Sequence, residues 1–165
     1  MKSWIVIIFN LIIFSGCSLN NINSNKQVVE MGKLTGLRII QIASVSYPES
    51  TVYPDTSLTF TEMDKINFSD SLIQSLKRSD VRVLPSAQTK IHINFIEMTL
   101  PEGVTGSKLT MVAKVAVSRN GIITRKTIEI NSKAKSTLGA TKSTAVKMFI
   151  QELGNLLREQ SSFKR

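Results

Sequence analysis

Two periods in the apolar positions divide this chain into elements. Leu109, Met111, Ala113, Val115 and Val117 alternate with more polar neighbours, the period of a strand with one buried face. Asn120-Gly121 then reads as a two-residue type I′ turn, because that turn needs positive φ at both central positions. Setting Arg119 opposite Ile122 pairs Met111 with Ile130, Ala113 with Ile128, Val115 with Lys126 and Val117 with Thr124. The two apolar pairs put the hairpin's root over the core, and the two mixed pairs put its tip beyond it. Upstream, Ile91, Ile93 and Phe95 face one side before the pattern shifts to Ile96, Met98 and Leu100, which predicts a bulge or bend near Phe95. Leu37 to Val45 is apolar with little polar relief and predicts an internal strand covered on both faces. Val81 to Leu84 is a short strand stopped by Pro85.

Helical spacing occurs twice. Thr59 and Glu62 form a candidate capping box for a helix from Glu62 to Arg78. Its apolar stripe is Ile66, Ser69, Leu72, Ile73 and Leu76, and Lys77 and Arg78 suit the negative end of the helix dipole. The second helix runs from about Thr141 to Gln160, with Val146, Phe149, Ile150, Leu153, Leu156 and Leu157 on one side. Burying that stripe contributes roughly 9 to 18 kcal/mol before entropy is subtracted. The opposite face has both charge signs, which favours core packing over lying on a lipid surface. The fold expected is therefore α+β, a mixed and mostly antiparallel sheet with two helices packed on one face.

The N-terminus has a different character. Lys2 precedes an apolar run from Trp4 to Phe14, broken by Asn10 and closed by Ser15, Gly16 and Cys17, the anatomy of a signal peptide. The run is about half the roughly 20 residues that a membrane span needs. Phe14-Ser15-Gly16-Cys17 resembles the lipobox of bacterial lipoproteins, which implies cleavage before Cys17 and acylation of that cysteine. Ser18 follows where Asp is the usual inner-membrane retention signal, so the resemblance implies the periplasmic face of the outer membrane. The other reading is an ordinary secretory signal with a chance cysteine. The organisation expected is a signal peptide at 1–16, a lipidated Cys17 and flexible tether at 17–33, and one periplasmic domain at 34–165. The tether, rich in Asn and Ser, would span on the order of 20 to 25 Å.

Charge and composition narrow the chemistry. Losing Lys2 lowers 21 basic residues to 20 against 12 acidic ones, leaving a net +8. Nucleic acid is the habitual partner of such charge, but an exported, anchored protein is expected to meet anionic lipid, lipopolysaccharide phosphate or acidic protein patches instead. The single cysteine excludes a disulfide within the chain. His92, the one histidine, shares a strand face with Lys90 and Asn94 and has no converging partner close in sequence, so it reads as a solvated strand histidine. Glu62, Asp64 and Asp70 read as first-turn helix residues. No phosphate-binding loop, nucleophile elbow or zinc spacing occurs in the sequence, so neither a catalytic residue nor a metal or cofactor is expected.

One constellation is left. The hairpin is dense in cations, among them Lys114, Arg119, Arg125 and Lys126. Such charge either solubilises a sheet face or forms an anion-binding edge. Tyr47, Tyr53 and Phe60, in a loop punctuated by Pro48 and Pro54, are either a contact surface or loop packing.

The span from Leu109 to Gln160 resembles the C-terminal part of the YajG-type bacterial lipoproteins. It shares the alternating strand, the Asn120-Gly121 turn, the return strand Ile122 to Asn131, a connector ending at Gly139-Ala140 and the amphipathic helix around Ala145 to Leu157. The lipobox and the helix near Ser69 to Leu76 extend the resemblance over most of the chain. It implies an outer-membrane lipoprotein without supplying an activity. More remotely the layout is similar to a lipopolysaccharide-assembly lipoprotein and to a lipoprotein activator of a peptidoglycan synthase. The function expected is a non-enzymatic binding or adaptor module for an envelope component. The alternative is a lipid- or lipopolysaccharide-handling factor that contacts anionic glycolipid through the basic hairpin.

Overall fold

The computed structural model describes residues 28–48, 59–100 and 108–162. Cys17, Tyr53 and residues 18–27 of the expected tether lie outside them. The elements are β1 (Ile39–Ser46), α1 (Glu62–Arg78), β2 (Arg82–Val83), β3 (Lys90–Thr99), β4 (Lys108–Arg119), β5 (Ile122–Lys133) and α2 (Leu138–Ser162). The sheet order is β2-β1-β3-β4-β5. β1 is parallel to both its neighbours, whereas β3, β4 and β5 form an antiparallel meander. This is the α+β fold, with a mixed and mostly antiparallel sheet, that the residue pattern predicts.

Local signals account for much of the meander. Asn120 and Gly121 have φ of 50° and 80°, and Arg119 faces Ile122, so all four predicted β4–β5 pairs form. In β3 the register shifts between Phe95 and Glu97. The bulge returns Met98 to the buried face beside Met111.

Three expectations about the helices and strands change. The α1 capping box uses Thr61 and Asp64 rather than Thr59 and Glu62, with Asp64 N–H donating to Thr61 Oγ1 at 3.1 Å and Thr61 N–H to Asp64 Oδ2 at 3.0 Å. The buried stripe of α1 is Phe68, Ser71, Leu72, Ser75 and Leu76, and Ile66 is 54 % exposed. Phe68 turns inward because it packs edge-on to Phe95 at 5.1 Å and lies 5.8 Å from Phe149. Finally, β1 is internal in the sheet but covered on one face only, since Ser44 and Ser46 are exposed.

The core lies between the sheet and the two helices. α2 packs across β4 and β5, α1 against β2, and the helices touch each other. Phe95 is the hub of an aromatic cluster, with Tyr47, Phe60, Phe68 and Phe149 at centroid distances of 5.4, 5.0, 5.1 and 5.1 Å. Tyr47 and Phe60 thus act as packing residues. Burial first, and then the Glu62 carboxylate, push the Tyr47 phenol up to about 12.

Residues 28–33, expected to belong to the tether, are part of the folded domain. Val29 and Met31 are 2 % and 1 % exposed. Two small residues make room for this segment. Ser75 Oγ accepts from Val29 N–H at 2.9 Å while donating to the Ser71 carbonyl at 2.7 Å, and Gly154 of α2 lies against Met31. Arg158 closes the crossing by donating to the Met31 carbonyl. The chain therefore enters the domain across the helix layer, on the side away from the open sheet face.

Candidate functional site

Alternation along three strands gives the sheet a second face that no described helix covers. Cross-strand registers arrange it in rows. Ser44, His92, Ala116 and Arg125 form one row, and Ser46, Asn94, Lys114 and Thr127 form the next. Ala116 has the smallest side chain among its neighbours, so the middle of the face is dented. The depression, of about 490 Å³, is bordered by both rows.

Within it the polar groups are ordered by short bonds. Ser44 Oγ lies 2.9 Å from His92 Nδ1, and Ser46 Oγ donates to Asn94 Oδ1 at 2.8 Å. The bulge in β1 between Ile42 and Ser44 creates this register, since it turns Ser44 and Ser46 to the face of His92 and Asn94 while Val45 points toward the core. Among the described residues, Lys114 and Arg125 have no ion-pair partner. The nearest carboxylates on this face, Glu97 and Glu129, sit opposite Val112 in the row beyond Lys114. Thr99 Oγ1 donates to Glu97 at 3.3 Å, and Asn131 Nδ2 donates to Glu129 at 3.0 Å. The open face thus has cations around the depression, its two carboxylates in the next row, and the facing pair Lys108 and Lys133 at its far end.

The four cations expected to share one edge are distributed over three places. Lys114 and Arg125 border the depression from the open face, and Lys126 is also part of its lining. Lys126 belongs to the helix-covered side by alternation, and its Nζ lies 3.7 Å from Glu159 of α2. Beside it Thr124 Oγ1 donates to Gln160 at 3.1 Å, so the two mixed pairs of the hairpin are met by the polar end of α2. Arg119 donates to the Gly36 carbonyl at 3.0 Å and, with Arg38, borders a second depression of about 470 Å³ beside the 84–89 loop. Arg119 thereby ties the hairpin tip to the approach to β1.

Ser44, Ser46 and Thr127 are the members of this face that the sequence reading missed. The two serines two residues apart were a legible period-2 signal, masked by the apolar residues around them. Asp64, by contrast, is structural. Partial burial alone would raise its carboxyl, but bonds from Lys142 at 2.7 Å and from the Thr61 backbone hold it below the usual carboxylate range. Among the described residues no three His, Cys, Asp or Glu side chains are placed to hold a metal ion, and no helix is long and apolar enough to cross a membrane.

No family model matches the chain, and no curated protein does. Solved structures of bacterial proteins are similar to it. A Xanthomonas campestris protein, XCC0632 of family DUF330, superposes with a TM-score of 0.61 at 12 % identity over 84 % of this chain and 95 % of its own. A minor lipoprotein from Acinetobacter baumannii gives 0.49 at 9 % identity over 74 % and 94 %, and the hypothetical protein CT253 from Chlamydia trachomatis gives 0.49 at 12 % identity over 75 % and 95 %. The likeness to the YajG-type lipoproteins rests on the sequence pattern, and the likeness in three dimensions is one of fold: this chain has the sheet-and-two-helix architecture of the Xanthomonas DUF330 protein.

Proposed function

We propose that this protein is a lipid-anchored lipoprotein of the bacterial outer membrane, facing the periplasm, whose domain acts as a non-enzymatic binding module for another envelope component. The observation that carries the reading is the open face of the sheet, which presents ordered polar and cationic side chains with no described element above it. The lipobox-like Phe14-Ser15-Gly16-Cys17 supplies the anchor. Tethering near a surface raises the domain's effective concentration for whatever lies there, so modest contacts suffice.

Photoreactive residues placed at Asn94 and Ala116 on the open face, and at Lys147 and Gln151 on the exposed side of α2, test this in living cells. Crosslinks to an envelope component from the first pair alone support the reading. Equal capture from both pairs, or none from the open face, overturns it. The anchor has its own test, since Cys17→Ser should abolish incorporation of labelled palmitate. Unchanged labelling refutes it.

A further inference from the structure

We propose that the depression on the open sheet face binds the phosphorylated sugar headgroup of a glycolipid, with Lys114 and Arg125 on the phosphate and the Ser44–His92 and Asn94–Thr127 positions on the sugar. This deepens the binding role proposed above and rests on it.

The argument begins with the two cations. Lys114 faces Thr127 and Ala116 faces Arg125, so Lys114 and Arg125 are diagonal neighbours, about 7 to 8 Å apart at their backbones. Both side chains are long enough to reach one anion from that spacing. A guanidinium matches a phosphate with paired donors, and an ammonium adds a compact charge beside it. Neither cation is neutralised by an ion pair among the described residues. Lys90 adds a third positive charge in the row beyond His92, opposite Ser118.

The remaining chemistry favours a sugar over a bare ion or a protein surface. The Ser44–His92 and Ser46–Asn94 bonds leave the second ring nitrogen of His92 and the amide nitrogen of Asn94 available, and Thr127 contributes a hydroxyl that both donates and accepts. This is a mixed set of donors and acceptors, as vicinal hydroxyls require. Ala116 lets a ring settle between His92 and Arg125. The volume of about 490 Å³ is far larger than one phosphate and falls within the usual range of small-ligand sites. Protein interfaces, by comparison, concentrate their energy in buried aromatic or aliphatic anchors and the pockets that receive them. Phe, Tyr and Trp are absent from the described lining, and its large aliphatic members, Ile93 and Val115, are buried in the core at 0 % and 1 % exposure.

The test uses the full chain extracted from membranes in a non-ionic detergent, titrated calorimetrically with three soluble probes. They are a deacylated glucosamine disaccharide carrying two phosphates, the same disaccharide without phosphate, and inorganic phosphate. The bisphosphorylated sugar should bind at least about tenfold more tightly than either other probe. Lys114→Ala with Arg125→Ala should weaken it by about tenfold or more, whereas the charge-matched control, Lys77→Ala with Lys147→Ala on the helices, should change it less than about twofold. Ser44→Ala with Asn94→Ala should erase the preference over inorganic phosphate and leave phosphate binding itself in place. Equal loss in the two charge variants, equal binding of sugar phosphate and free phosphate, or no saturable binding overturns the proposal. If the probes fail while positions 94 and 116 crosslink to a protein, the headgroup assignment falls and the adaptor role stands. If both fail, both fall.

Discussion

Replacing Gly154 by alanine separates local propensity from tertiary packing, because the two predict opposite signs. Gly154 lies inside α2, and in an isolated helix the added methyl favours folding by about 0.8 to 1.0 kcal/mol. Here a Cβ at that position would meet Met31 Cβ at 2.9 Å, Cγ at 3.3 Å and Cα at 3.4 Å. These atoms belong to the stem and backbone of a residue that is 1 % exposed, so no flexible tip can swing aside. Either the contact is compressed, costing about 1 to 3 kcal/mol, or the 28–34 segment lifts and Met31 loses burial that contributes about 1.5 to 3 kcal/mol. After the propensity gain is subtracted, Gly154→Ala should destabilise the fold by about 1 kcal/mol, lowering the melting midpoint by about 2 to 4 °C. Gly139, near the start of the same helix with nothing within 4 Å of its added Cβ, is the control, and Gly139→Ala should be neutral or stabilising. Urea unfolding at constant m measures both. Hydrogen exchange at the Val29 amide, bonded to Ser75 Oγ, should accelerate in Gly154→Ala alone. A stabilised Gly154→Ala protein with unchanged exchange at Val29 would refute the claim that this segment is seated between the helices.

Phe95→Ala removes the ring shared by all four neighbours of the aromatic cluster and should cost about 3 to 5 kcal/mol in chemical unfolding; a loss under about 1.5 kcal/mol would show that the cluster collapses around the gap. Acid should act through Asp64. Its folded-state carboxyl is held below the ordinary 3.8, so its stabilising contribution is complete above that value and disappears as pH falls through the lower, folded-state one. Asp64→Asn should therefore lose about 1 kcal/mol at neutral pH and show a shallower decline of stability below pH ~4, and equal acid slopes for the two proteins would exclude this carboxylate as a contributor.

The β4–β5 hairpin was legible from residues alone because its information is local. A period of two names the buried positions, Asn120-Gly121 names the turn, and together they leave one register. The β3 bulge was legible for the same reason, as a change of phase at Phe95. Alternation also separates Lys126 from Arg125, since adjacent strand residues face opposite sides of a sheet. That signal was available, and grouping the cations by sequence proximity concealed it.

What sequence left open was which surface each element would turn toward the rest. The apolar content of α1 permits more than one inward stripe, and the choice of Phe68 and Ser75 over Ile66 and Ser69 follows from an aromatic hub and an arriving N-terminal segment, both remote along the chain. Val29 and Met31 looked like tether because their partners on α1 and α2 are 46 residues away at Ser75 and 127 at Arg158. The open face is decided the same way. Ser44, His92, Ala116 and Arg125 become one row only when three strand pairings bring them together, and the row stays uncovered by any described helix because both helices pack on the other side. Periodicity and turn chemistry act over a few residues, so they specify elements and their buried halves; the partner of each half is a long-range contact, and only the assembled tertiary structure selects it.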